Sequence, residues 1–98
     1  MSEASITREG PDRLVVKGDL DMRAAPGLLE RGRQLLQGEQ EQSVDLSGVS
    51  RIDSAGVALL LEWAREAKRR RLSIRFANVP EQVLAIAGVC GVEQFLPQ

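Results

Sequence analysis

The sequence predicts an α/β fold: a small mixed β-sheet of four to five strands with three or more helices packed on it. Three observations carry that prediction. After two short β-biased runs, helical and strand-like segments alternate along the chain. Glycine and proline punctuate the boundaries between segments. The 98 residues, 43% of them hydrophobic, suit one domain spanning residues 1–98 with a single core.

The elements follow in order. Residues 5–8 read as a weak strand. Gly10, Pro11 and Asp12 then turn the chain into residues 13–17, where Leu14, Val15 and Val16 make a short strand that Gly18 ends. The first helix is expected over residues 23–37. There Ala25, Leu28, Leu29, Gly32, Leu35 and Leu36 recur at helical spacing, and Pro26 falls in the first turn, where a missing N–H costs nothing. Gly38 stops it, and residues 38–42, "GEQEQ", read as a solvated loop.

Residues 43–46, "SVDL", form the next strand, closed by Ser47 and Gly48. A second helix is expected from Ala55 to about Arg70. "LSIRF", residues 72–76, alternates apolar and polar as a half-buried strand does. Asn78, Val79 and Pro80 turn into a third helix with Val83, Leu84, Ile86 and Ala87 facing inward. Gly88 and Gly91 break it, and Val92, Phe95 and Leu96 close the core. The two N-terminal strands should pair antiparallel. "SVDL" and "LSIRF", joined through a helix, should lie side by side and parallel.

The second helix carries the most informative residues. At about 100° per residue, Val57, Leu60, Leu61 and Ala64 make the core stripe. Ala55, Ala58, Leu59 and Glu62 fall on the opposite side, with Glu66 beyond them and Trp63 on the border. Asp53 or Ser54 is the natural N-cap, a group worth about 1 kcal/mol, although Val57 stands where a capping box would need Glu or Gln. The same position admits a second role. A helix N-terminus tolerates an anion, so a phosphoryl group on Ser54 would be accommodated. It would bring roughly −1.5 to −2 charges beside Asp53 and repel a partner resting on the small residues. Gly56 leaves this mouth open, and the expectation is a docking surface centred on Ser54.

Composition narrows the remaining classes. A net charge of −1 and three aromatic residues give neither a general pull on nucleic acid nor a stacking platform. The local run Lys68, Arg69, Arg70 and Arg71 sits where a helix should end, and there cations complement the dipole. With no histidine, one cysteine and no phosphate-binding loop, nucleophilic and nucleotide chemistry are poorly provided for, and no enzymatic activity or cofactor is expected. Asp19, Asp21, Asp45 and Asp53 have the chemistry to hold Mg²⁺, but turns and caps are the more economical reading, so no metal is expected. Cys90, between small and branched residues, reads as a core residue. The longest apolar run, Val57 to Leu61, is far short of the roughly 20 residues of a membrane span, and the first ten residues lack the pattern of a signal peptide. A cytoplasmic protein is expected.

"GDLD" at residues 18–21 and "VDLSGVSRIDSAG" at residues 44–56, with the order of elements around them, resemble the STAS domain family. That family includes anti-sigma-factor antagonists and the tails of sulfate transporters. In the antagonists a partner kinase phosphorylates the serine matching Ser54. Within the family the chain is most similar to the small STAS subunits of Mla-type ABC phospholipid transporters, which maintain outer-membrane lipid asymmetry. The "ALLLEWAREAK" continuation favours that kinship. So do Ala55, where the antagonists often carry a second serine, and Ala58, where they often carry glycine. The resemblance implies a non-catalytic regulatory or assembly subunit that binds the transporter's cytoplasmic ATPase and reaches the inner membrane only through it. Its contacts would be Asp53, Ser54, Ala55, Gly56, Ala58, Leu59 and Glu62. The alternative it implies is an antagonist switched by a serine kinase acting on Ser54.

Overall fold

A computed structural model describes residues 3–38 and 41–98, so the loop expected over residues 38–42 falls partly outside the described residues. The chain runs β1 (Ser5–Arg8), β2 (Arg13–Leu20), α1 (Ala25–Leu35), β3 (Gln42–Ile52), α2 (Ser54–Arg69), β4 (Ile74–Ala77) and α3 (Glu81–Cys90), then a single 3₁₀ turn at Glu93–Phe95. The sheet order is β1-β2-β3-β4. β1 pairs antiparallel with β2, and β2, β3 and β4 run parallel, as the connections require.

Alternation along the strands separates two faces. Ile6, Leu14, Val16, Leu20, Val44, Leu46, Ile74 and Phe76 join residues of all three helices in one buried cluster. The opposite face carries Ser5, Thr7, Arg13, Lys17 and Arg75, all exposed, around a buried Val15 and Asp45. Asp45 is fully engaged there. It accepts from the Asn78 amide at 3.0 Å, the Ser47 N–H at 2.9 Å and Arg13 at 2.6 Å. Asn78 reaches it from a left-handed backbone position (φ 54°), which asparagine tolerates better than most residues.

These bonds, that of Asn78 foremost, hold the Asp45 carboxyl well below the usual carboxylate range, against an opposing push from burial. A carboxyl depressed in the folded state stabilises above its unfolded pKa of about 4, and that contribution drains away as pH falls further. Asp45→Asn should therefore flatten the acid limb of the stability curve. It should also cost about 1–3 kcal/mol at neutral pH, where Arg13 loses its carboxylate partner while one oxygen still accepts from Asn78 and Ser47. Urea melts between pH 7 and pH 3 measure both; an unchanged acid limb would acquit Asp45.

Two strands run further than the sequence predicts. β2 continues through Gly18 to Leu20 because Gly18 adopts φ 90°, a step that accommodates the register shift beside it. A side chain at Gly18 would also overlap the backbone of Glu3 and Ala4. β3 passes through Ser47 and Gly48 and ends only at Ile52, since β2 offers pairing partners as far as Leu20. β4 starts later than expected. Leu72 is taken up by the end of α2, donating to the Ala67 carbonyl at 2.8 Å after a left-handed Arg71 (φ 59°).

α1 is shorter than expected at both ends. Asp21 accepts from the N–H groups of Arg23 (3.0 Å) and Ala24 (2.9 Å), so residues 21–24 form a turn before the helix. At the other end Leu36 is extended. The Arg70 guanidinium donates to the carbonyls of Arg33 and Leu36, both at 2.8 Å, which answers two open acceptors at the end of α1. Glu66 pairs with Arg69 and Arg70, and Arg69, then Arg70, draws its carboxyl below the usual range against a desolvation penalty. The basic run thus fastens α2 to α1 besides facing the helix dipole.

The buried stripe of α2 differs from the predicted one. Gly56, Val57, Leu59, Leu60, Trp63 and Ala67 are buried, while Leu61 and Ala64 are half-buried. The stripe is rotated by about 80° relative to the expectation at 100° per residue. α2 packs against α1 on one side and α3 on the other, so it buries a wider arc than a helix with one neighbour. Trp63 sets the orientation. Its ring lies against Gly32 of α1, where a side chain would overlap it, and its indole N–H donates to the Leu29 carbonyl at 3.3 Å. In α3 only Val83 and Ala87 are buried; of the residues expected inside, Leu84 is exposed because it lies about 100° around the helix from Val83, and Cys90 because the stripe ends one turn before Gly91. Phe95 is exposed as well, and Leu96 alone of the closing residues is fully buried.

Candidate functional site

The junction between β3 and α2 is built around Asp53. Its extended backbone (φ −117°, ψ −172°) is that of an N-cap, which settles the choice between Asp53 and Ser54. The two carboxylate oxygens have separate duties. Oδ1 accepts from the Gly56 N–H at 3.0 Å and closes the cap. Oδ2 accepts from the Met22 N–H at 3.3 Å, in the turn between β2 and α1. The Asp53 N–H in turn donates to the Leu20 carbonyl at 3.2 Å. Two segments distant in sequence are stitched together beside Ser54.

Gly56 contributes in a different way from the one expected. It is buried, and a side chain there would overlap the Leu20 carbonyl and crowd Ile52. Its value lies in letting α2 seat directly on the end of β2.

Ser54, the first residue of α2, is exposed, and its hydroxyl has no hydrogen-bond partner among the described residues. Asp53 and Ala58 are exposed too, and Ala55 is half-buried. Glu62 is half-buried and pairs with Arg65 at 3.3 Å. Leu59, placed on the outward face by the sequence, is instead 3% exposed and belongs to the core. The outward strip therefore consists of Ser54, Ala58 and the edge of Ala55, with Glu62 one turn further on.

The neighbouring turn adds a residue that sequence reasoning missed. Met22 is 75% exposed, and with Asp21, Arg23 and Asp53 it lines a shallow depression at the same end of the molecule. The available signal was an apolar residue in an otherwise polar turn. Small residues, one free hydroxyl and one thioether suit contact with another surface. Among the described residues no group of three or more histidine, cysteine, aspartate or glutamate side chains could hold a metal ion, and no helix is long and apolar enough to cross a membrane.

The chain as a whole is similar to known proteins. A family profile described as "Mlab, STAS domain" matches residues 5–97. The intermembrane phospholipid transport system binding protein MlaB of Escherichia coli K12 is 32% identical over 87 residues, covering 89% of this chain and 88% of that protein. Among solved structures, the anti-sigma factor antagonist SpoIIAA in its unphosphorylated form superposes with a TM-score of 0.70 at 17% identity, over 96% of this chain and 85% of that one. The phosphorylated form of the Bacillus cell fate determinant SpoIIAA gives 0.69 at 16% identity, over 96% and 88%. At those identities the two SpoIIAA structures speak for the fold alone.

Proposed function

The chain belongs to the MlaB-type STAS domain family, and from that premise we propose that it is a non-catalytic regulatory or assembly subunit of a Mla-type ABC phospholipid transporter. It binds the transporter's cytoplasmic ATPase through the Ser54 end of α2 and resides at the inner membrane only by way of that partner. The observation that carries the reading is the exposed, unengaged Ser54 hydroxyl at the tip of a helix whose base is fixed by Asp53 and Gly56. A rigid platform with small residues around one polar group lets another backbone come close at little ordering cost.

Affinity capture of the tagged chain from its native cell, with mass spectrometry of what it retains, tests the reading. Recovery of an ABC ATPase with its permease is the expected result; recovery of neither would overturn it.

A second reading has one observation in its favour. The free Ser54 hydroxyl stands in the first turn of α2, where helix N–H groups favour a phosphoryl group. The chain would then be an anti-sigma-factor antagonist switched by a partner serine kinase. A mass shift of one phosphate on the peptide containing Ser54, after incubation with that kinase and ATP, separates it from the first.

A further inference from the structure

We propose, resting on the reading above, that Met22 is the apolar anchor of the ATPase-docking surface, and that Asp53 is a positioning residue that presents it. The partner surface that fits this arrangement is an apolar socket rimmed by basic groups. Four large hydrophobic residues are exposed among the described residues, namely Met22, Leu84, Val89 and Phe95. Of these, Met22 shares a surface depression with Asp53, the neighbour of Ser54.

An exposed side chain on a loose loop contributes little to binding, because the loop must be ordered on contact. Met22 avoids that cost. Its own N–H is held by Asp53 Oδ2, and the next two N–H groups are held by Asp21 Oδ1. The backbone is fixed while the thioether stem stays adaptable, which suits filling an irregular socket. Asp21, Asp53 and Arg23 line the depression with it, and the one carboxylate in excess favours a basic over an acidic group on the opposing rim.

The division of labour within the Asp53 carboxylate provides the test. Asparagine caps a helix about as well as aspartate but offers a single acceptor oxygen. Asp53→Asn should therefore keep the α2 cap and the melting temperature while releasing the Met22 N–H. Affinity for the purified ATPase is measured by calorimetry for the native chain and for the variants. Met22→Ala should weaken binding about tenfold and Met22→Glu about a hundredfold, whereas Met22→Leu should stay within about threefold. Asp53→Asn should weaken it about three- to tenfold, and the loss should disappear when Met22 is already alanine.

Binding within twofold of native by Met22→Ala, alongside failure of Ser54→Arg to bind, would overturn the anchor and leave the docking surface standing. Full additivity of Asp53→Asn and Met22→Ala would overturn the positioning role. Undiminished binding by Ser54→Arg would instead remove the docking surface and the anchor with it.

Discussion

Ser54→Arg should abolish the complex with the ATPase while the domain stays folded. The side chain at this position points to no internal partner and is exposed, so a long guanidinium meets no obstruction within the molecule. The internal cost is confined to a cation at the positive end of the α2 dipole, about 0.3–1 kcal/mol. Across an interface the consequences are larger. Ala58 lies one turn away and Ala55 beside it, both too small to hold a partner at a distance. An arginine between two closely apposed backbones forces them apart and strands a desolvated charge, for a loss of at least about a hundredfold in affinity. Size-exclusion chromatography of the mixed proteins reads the loss, and thermal melting reads the retained fold. Co-elution of the variant with the ATPase would refute the docking site.

Trp63→Ala should cost about 3–5 kcal/mol, the range for emptying a large aromatic from a core. The ring is 1% exposed and lies in a niche that exists because Gly32 has no side chain. Its removal leaves a cavity at the contact between α1 and α2 and takes from the Leu29 carbonyl the second donor that Trp63 supplies. A domain of this size has about 5–15 kcal/mol of stability, so the variant stands near the edge of unfolding. Gly32→Leu attacks the same contact from the other side and should be comparably damaging. Urea denaturation gives the values; a loss under about 1 kcal/mol for Trp63→Ala would mean that α1 collapses onto the vacancy.

The order of elements and the pairing directions were legible because they rest on local signals. Gly10, Pro11 and Asp12 mark the turn between β1 and β2, and the helical period between "SVDL" and "LSIRF" imposes the parallel crossover. The exposed Ser54 followed from the same kind of signal. What escaped depends on residues far apart in the chain. Gly18 and Gly48 look like strand ends until each is seen paired across to the other strand, where β2 and β3 sustain one another. Leu59 looks outward until the Trp63–Gly32 contact turns that side of α2, one turn before Trp63, toward the core. Gly56 was read as an opening, though its backbone seats on Leu20, 36 residues earlier. Cys90 follows the helical period, and nothing in that period says where the neighbouring core stops.

α2 is pinned at its front by Asp53 and at its back by Arg70, so both ends of the proposed contact helix are held before any partner arrives. Encounter then needs no refolding step, and its speed follows from diffusion and orientation, about 10⁵–10⁷ M⁻¹s⁻¹ for preformed surfaces. If the proposed docking holds, an uncharged change at the tip of this helix should alter how long the two proteins stay together more than how quickly they meet.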